Sequence, residues 1–302
     1  MKLQYLLQNN INWEFSKINE DKELAKQIQT RLIDLGILEG SADGAFGPIS
    51  KLALTKFQQL TKTNEPGYIG SVTARHLIQV KPEDLAQPVL KLGNDLASRI
   101  VKYMLAKKYK VFTYSQYYNI VYVEGMNTSG TLNNDAPNRF NDIRTVIAFE
   151  DGVPKIVGIW EATTEPGAKY TYRPMNSKGA ARIHFGQYKA WSVGIHGNSN
   201  PHEALIQVGP VTVWRDLNKD FIRPSDRNET GLFGINQHWG YDFPKNDIGV
   251  ASAGCLVGRT IQGHRQFMTL IKRDKRYLTT SGYVFTSTII PGDDLVKSFP
   301  AT

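Results

Sequence analysis

Residues 146–160 read Val146-Ile147-Ala148-Phe149-Glu150-Asp151-Gly152-Val153-Pro154-Lys155-Ile156-Val157-Gly158-Ile159-Trp160. Two apolar, β-branched runs flank Asp151-Gly152, a pair suited to the left-handed backbone of a hairpin turn, with Val153-Pro154 lengthening the expected loop. The same texture recurs at Val111–Tyr114, Ile120–Val123, Val193–His196, Leu205–Val208, Val211–Trp214 and Tyr283–Phe285. One helix is expected near residues 261–273. These runs predict a mainly-β domain over residues 111–302. Upstream, Leu92, Leu96, Ile100 and Met104 recur at helical spacing and end in a basic turn at Lys107 and Lys108. Pro82 and Pro88 bound a short linker, so residues 81–110 are expected to be linker plus amphipathic helix.

Residues 18–80 have a different period. Leu24, Ile28, Leu32 and Leu35 form one apolar stripe, which Gly36 and Gly40 end. Asp43-Gly44 and Phe46-Gly47-Pro48 make a tight turn, and Ser50 is expected to cap a second helix carrying Leu54, Phe57 and Leu60. After Pro66-Gly67 and Gly70, a third short helix holds Val72, Ala74, Leu77 and Ile78. The fold class expected is therefore α+β: a small three-helix domain, a connecting helix and a larger mainly-β domain.

The chain has 302 residues, room for one ordinary domain and a smaller one. Its 36 Lys and Arg against 28 Asp and Glu leave +8, which favours polyanionic partners. DNA- and RNA-binding signatures are absent, so no nucleic acid is expected. No apolar run is long enough to span a bilayer. The N-terminus turns polar before a signal-peptide core forms, so synthesis in the cytoplasm is expected. The one cysteine, Cys255, excludes an internal disulfide and is either an inert core residue or a reactive thiol.

Cys255 sits in Gly249-Val250-Ala251-Ser252-Ala253-Gly254-Cys255-Leu256-Val257-Gly258-Arg259. Small neighbours suit a nucleophile, because a substrate carbonyl must reach the sulfur, and Gly254 and Ala253 are expected to leave the backbone open. The thiol also needs a proton acceptor. His238, in Gly234-Ile235-Asn236-Gln237-His238-Trp239-Gly240, lies 17 residues upstream, and His196 in Gly194-Ile195-His196-Gly197 is its rival. Trp239 and Tyr241 are expected to line a cleft or to pack. His184 and His264 read as ordinary polar residues.

Two family resemblances follow from these motifs. The run Ile28-Gln29-x-Arg31-Leu32-x-x-Leu35-Gly36, then Asp43-Gly44-x-Phe46-Gly47, Phe57-Gln58 and Gly67-x-Ile69-Gly70-x-x-Thr73-Ala74, resembles the three-helix peptidoglycan-binding module. His238, then Ser252-x-Gly254-Cys255 and Arg259, resembles the active-site signature of L,D-transpeptidases, and Thr163-Thr164-Glu165-Pro166-Gly167 is similar to a Thr-Pro-x-Gly segment of that family. The sequence departs from that signature at Ala253, where the family has a second His, and at Arg259, two places late. The resemblance implies peptidoglycan as partner. It also implies Cys255 as the nucleophile on a stem-peptide carbonyl, His238 as the base, Ser252 and Gly254 in the catalytic turn, and Arg259, Trp239, Tyr241 and His196 at the substrate. No cofactor and no metal are expected, and a monomer is. Action at the wall without a signal peptide implies release as a phage product or delivery by other machinery, and tilts the outcome toward cleavage. Three alternatives stand beside this reading: a metal-dependent amidase or peptidase using His196, His202 and His238 with Glu203; a muramidase using Glu161 or Glu165; and a non-catalytic wall-binding protein.

Overall fold

The computed structural model describes residues 2–85, 89–223 and 227–301. Pro88, the expected linker boundary, lies outside them. The chain divides into two compact units, Met1–Pro88 and Val89–Thr302. No helix among the described residues is long and apolar enough to cross a membrane.

The N-terminal unit contains α1 (Leu3–Asn9), β1 (Trp13–Glu14), α2 (Lys22–Asp34), α3 (Pro48–Leu60), β2 (Tyr68–Ile69) and α4 (Ser71–Gln79). Leu24, Ile28 and Leu32 of α2 meet Leu54 and Phe57 of α3 and Leu77 of α4 in one core, as the helical period requires. The polar look of the N-terminus hides α1, whose Leu3 and Leu6 fall three apart on one face and enter the same core. β1 and β2 pair antiparallel. Ser50 does not cap α3. Gly47 holds the cap position with Pro48 behind it, and Ser50 is buried inside the first turn, where it accepts a hydrogen bond from Gln29.

The C-terminal unit begins with α5 (Leu96–Ala106), which starts later than the apolar stripe because Asp95 caps it by accepting from Ser98 N–H. Ala97, Ile100, Val101 and Met104 pack on Val121, Ile143 and Ile147. Then follow β3 (Asn119–Glu124), β4 (Asp142–Glu150), β5 (Val153–Thr163), α6 (Ala168–Tyr172), β6 (Ala180–Ile183), β7 (Gly186–His196), β8 (His202–Gln207), β9 (Val211–Asp216), β10 (Arg227–Gly231), β11 (Gln237–Trp239), β12 (Leu256–Gly258), α7 (Ile261–Ile271), α8 (Lys275–Thr279), β13 (Phe285–Pro291) and α9 (Gly292–Ser298). Eight strands close a barrel in the order β11-β12-β5-β4-β3-β13-β7-β8, and β10-β9-β6 form a separate sheet. The fold is α+β, a helical N-terminal domain with a larger mainly-β one.

Three local expectations fail. Asp151 and Gly152 are both left-handed (φ 49° and 81°), so the β4–β5 turn has two residues, and Val153 and Pro154 already pair with Glu150 and Phe149. Val111–Tyr114 is loop, not strand. Side-chain amides take the place of a partner strand there: Asn119 accepts from Phe112 N–H at 2.8 Å and donates to its carbonyl at 2.9 Å, and Gln187 does the same for Lys110. Likewise β13 starts only at Phe285.

Candidate active site

β11 and β12 are three residues each and run parallel, with His238 opposite Val257. This pairing sets Asn236 beside Cys255, which ends the turn before β12. Alternation along β11 sends Gln237 into the barrel, where it meets Tyr122 and Ser287, and Asn236 and His238 to the other face.

Cys255 is partly exposed on the wall of a cavity of 560 Å³ that Tyr170, Ala181, His196, Gly234 and Ala253 also line. Its Sγ accepts from Asn236 N–H at 3.4 Å and donates to Gly234 O at 3.5 Å. Enclosure of the sulfur pushes the thiol up to about 11, against a smaller opposing effect of the Asn236 N–H. The resting thiol is therefore protonated at neutral pH.

Four imidazoles gather at and behind this wall. His196 and His238 stack with ring centroids 3.9 Å apart and planes within 10°, and His202 lies 5.4 Å from His196 and 6.0 Å from His264. Their tautomers follow from the hydrogen bonds. Asn236 Oδ1 accepts from Gln207 N–H at 2.8 Å, which turns its amide nitrogen toward His196 Nδ1 at 2.9 Å. His196 is thus an Nδ1 acceptor with its proton on Nε2. His238 Nδ1–H donates to Trp239 O at 2.7 Å, leaving the Nε2 lone pair free. Burial and the neighbouring His196 push His238 down to about 3. His196 and His202 are also lowered, in both cases chiefly by burial. Among the described residues, no imidazole is hydrogen-bonded to the sulfur, and no group of three or more His, Cys, Asp or Glu is arranged to hold a metal.

The other expected site residues have defined places. Ser252 is fully buried. Its Oγ donates to Cys255 O at 2.9 Å and accepts from Gly254 N–H at 3.1 Å, so it fixes the turn that presents the thiol. Gly254 sits at φ 131°, and a Cβ there would stand 2.5 Å from Ala181 O. Its missing side chain makes room for β6, and Gly254 also lines the cavity beside Cys255. Arg259 is not among the residues that line the cavity. Its Nε donates to Glu161 at 2.6 Å, and Lys245 reaches the same carboxylate at 2.7 Å. Trp239 stacks on His202 at 3.7 Å. Tyr241 packs with Phe140, Ile248 and Val257 beside Cys255. His264, expected to be an ordinary polar residue, bridges Arg144 and the Glu203 carbonyl inside the unit. Glu165 is buried against Arg182 at 2.9 Å.

Sequence reasoning missed Asn236, which touches the sulfur through its backbone and His196 through its side chain. Its signal was its place two residues before His238 in a Gly-x-Asn-x-His run. It also missed His202, apart from its use in the metal alternative.

No curated protein matches the chain. A fused Zn-dependent amidase/peptidase/peptidoglycan-binding-domain protein from Clostridium acetobutylicum is similar at 14% identity and TM-score 0.29, with 93% of this chain and 99% of that one covered. An L,D-transpeptidase structure from Xylanimonas cellulosilytica is similar at 15% identity and TM-score 0.20, over 88% and 92% of the two chains. Residues 21–77 match the family model of the peptidoglycan binding domain, so the N-terminal unit holds a domain of that type.

Proposed function

We propose that the protein is a peptidoglycan-directed cysteine enzyme, tethered to the wall by its N-terminal domain, in which Cys255 attacks a stem-peptide carbonyl and forms a thioester. The observation that carries the reading is the thiol itself. It stands on a cavity wall with a backbone N–H directed at the sulfur and stacked imidazoles on the same face of the sheet. The Nε2 lone pair of His238 accepts the thiol proton and later returns it to the leaving amine. Thiol and imidazole are both neutral at pH 7, so the proton moves with the attack rather than before it. The Nε2–H of His196 is a donor for the carbonyl oxygen as charge grows on it. Water or a second amine then resolves the thioester.

The test is incubation of the purified protein with purified muropeptides, read by mass spectrometry, beside Cys255→Ala and His238→Ala. Turnover is expected to vanish with Cys255→Ala and to fall at least 100-fold with His238→Ala, the scale of a lost general base. Turnover that survives Cys255→Ala removes the thioester.

A further inference from the structure

The sheet β10-β9-β6 borders the cavity, and on it lies a second groove of 520 Å³ lined by Ser177, Lys178, Arg215, Asn218, Arg227 and Glu229, among others. Arg215 lines both spaces. The two depressions are therefore neighbours with one guanidinium between them.

The charge of the groove is unbalanced. Lys178, Arg215 and Arg227 surround the single carboxylate of Glu229. Lys178 Nζ donates to Glu229 Oε1 at 2.6 Å and Arg215 Nε to Oε2 at 2.8 Å, so both carboxylate oxygens are taken. Arg215 is further fixed over the Phe233 ring at 4.7 Å. Arg227 opposes Arg215 across the β9–β10 ladder, is exposed, and has no acidic partner among the described residues. Two guanidiniums facing each other across a strand pair repel, and Glu229 is bonded to Arg215 but not to Arg227. Asn218, Asn228 and Ser177 add neutral donors, and Leu217 adds an apolar edge.

Resting on the thioester reading above, we infer that this groove binds a free carboxylate of the stem peptide whose carbonyl reaches Cys255, with Arg227 as its principal partner. A guanidinium fork matches a carboxylate in two parallel hydrogen bonds. A peptide lying from the groove to the cavity passes Arg215 on the way. The contact acts on substrate affinity and register, not on the bond made at sulfur, so Arg227 is a specificity-determining residue.

The experiment uses the full chain, disaccharide-tetrapeptide muropeptides, and the same compounds with their carboxylates converted to amides. With Arg227→Gln, KM for the free-acid compound is expected to rise about 10-fold, with kcat changed less than twofold. The amidated compound should show the same rise with the unaltered protein and no further rise with the variant. Calorimetric binding of the free-acid compound to Cys255→Ala, with and without Arg227→Gln, reads the groove without turnover. Equal affinity for acid and amide, or a KM unmoved by Arg227→Gln, overturns the groove while leaving the thiol chemistry standing. Turnover by Cys255→Ala removes the thiol chemistry, and the calorimetric difference then still decides the groove.

Discussion

The two units bury polar side chains in opposite ways. In the N-terminal unit Gln29 and Glu65 tie down backbone. Gln29 donates to Ala45 O and accepts from Gly44 N–H, closing the turn before α3. Glu65 accepts the N–H groups of Gly70, Val72 and Thr73 and so caps α4. In the C-terminal unit a cluster of buried charges is held together across long stretches of chain. Arg182 lies 3.3 Å from Glu124 and 2.9 Å from Glu165, Arg223 forks onto Glu124, and Thr164 Oγ1 bonds both Glu124 and Asp142. Small cores are stabilised by local ties whose loss is local; the barrel's charge cluster is a single network that fails as one.

The largest expected effect tests that network. Arg223→Ala leaves Glu124 underpaired, and a loss of about 3–5 kcal/mol is expected, as for other broken buried ion pairs. Thermal unfolding of the full chain gives its size. Hydrogen exchange, read peptide by peptide, should show loosening around Glu124, Glu165 and Arg182 and none in residues 21–77. A loss below about 1 kcal/mol would mean that the cluster is not one network.

Next comes pH. Burial raises Glu165 to about 7, with the Arg182 charge opposing. A carboxyl with a raised folded value binds its proton more tightly when folded. Its contribution is full below the unfolded value near 4.3 and is lost as pH rises through about 7, on the order of 3 kcal/mol. Glu165→Gln should flatten the stability of the C-terminal unit between pH 5 and 8; an unchanged slope would assign it elsewhere.

Glu65 has the opposite sign. Burial works to raise its value, but hydrogen bonds from Thr73, Gly70 and Val72 outweigh burial and hold it below the usual range. Its contribution is present above about 4.3 and is lost as pH falls through the depressed value. Glu65→Ala is expected to cost about 2 kcal/mol at pH 7, confined to exchange in residues 61–79.

The smallest effect is the control. Asp21 and Asp95 cap α2 and α5 by the same bond. Asp21→Ala and Asp95→Ala should each cost about 1 kcal/mol. If either perturbs the other end of its unit, the contrast between local ties and network weakens.

This contrast also explains what could be read in advance. The stripes of α2 and α3, the β4–β5 hairpin and the small-residue setting of Cys255 are written in short windows, and periodicity finds them. The strands β11 and β12, three residues each, have no period to detect. They exist because residues 19 apart pair with each other and with the barrel. Arg182, Glu124 and Arg223 look like surface charges until the chain brings them together. Of the candidate site, Cys255, His238 and His196 were legible as chemistry. Asn236 was not, because its role comes from a backbone N–H and an amide orientation. Arg259 shows the reverse failure: a residue chosen by motif that Glu161 has already claimed.

The barrel closes through β13, which runs parallel to β3 and antiparallel to β7. Residues near 120 must therefore wait for residues near 288. A seam of such high contact order is slow to form, since the intervening chain must first give up its freedom. On the ribosome, β3 and β7 emerge with unguarded edges long before their shared partner, and such edges recruit other chains. Ordering the last strand is thus the step that separates a finished barrel from an aggregation-prone one.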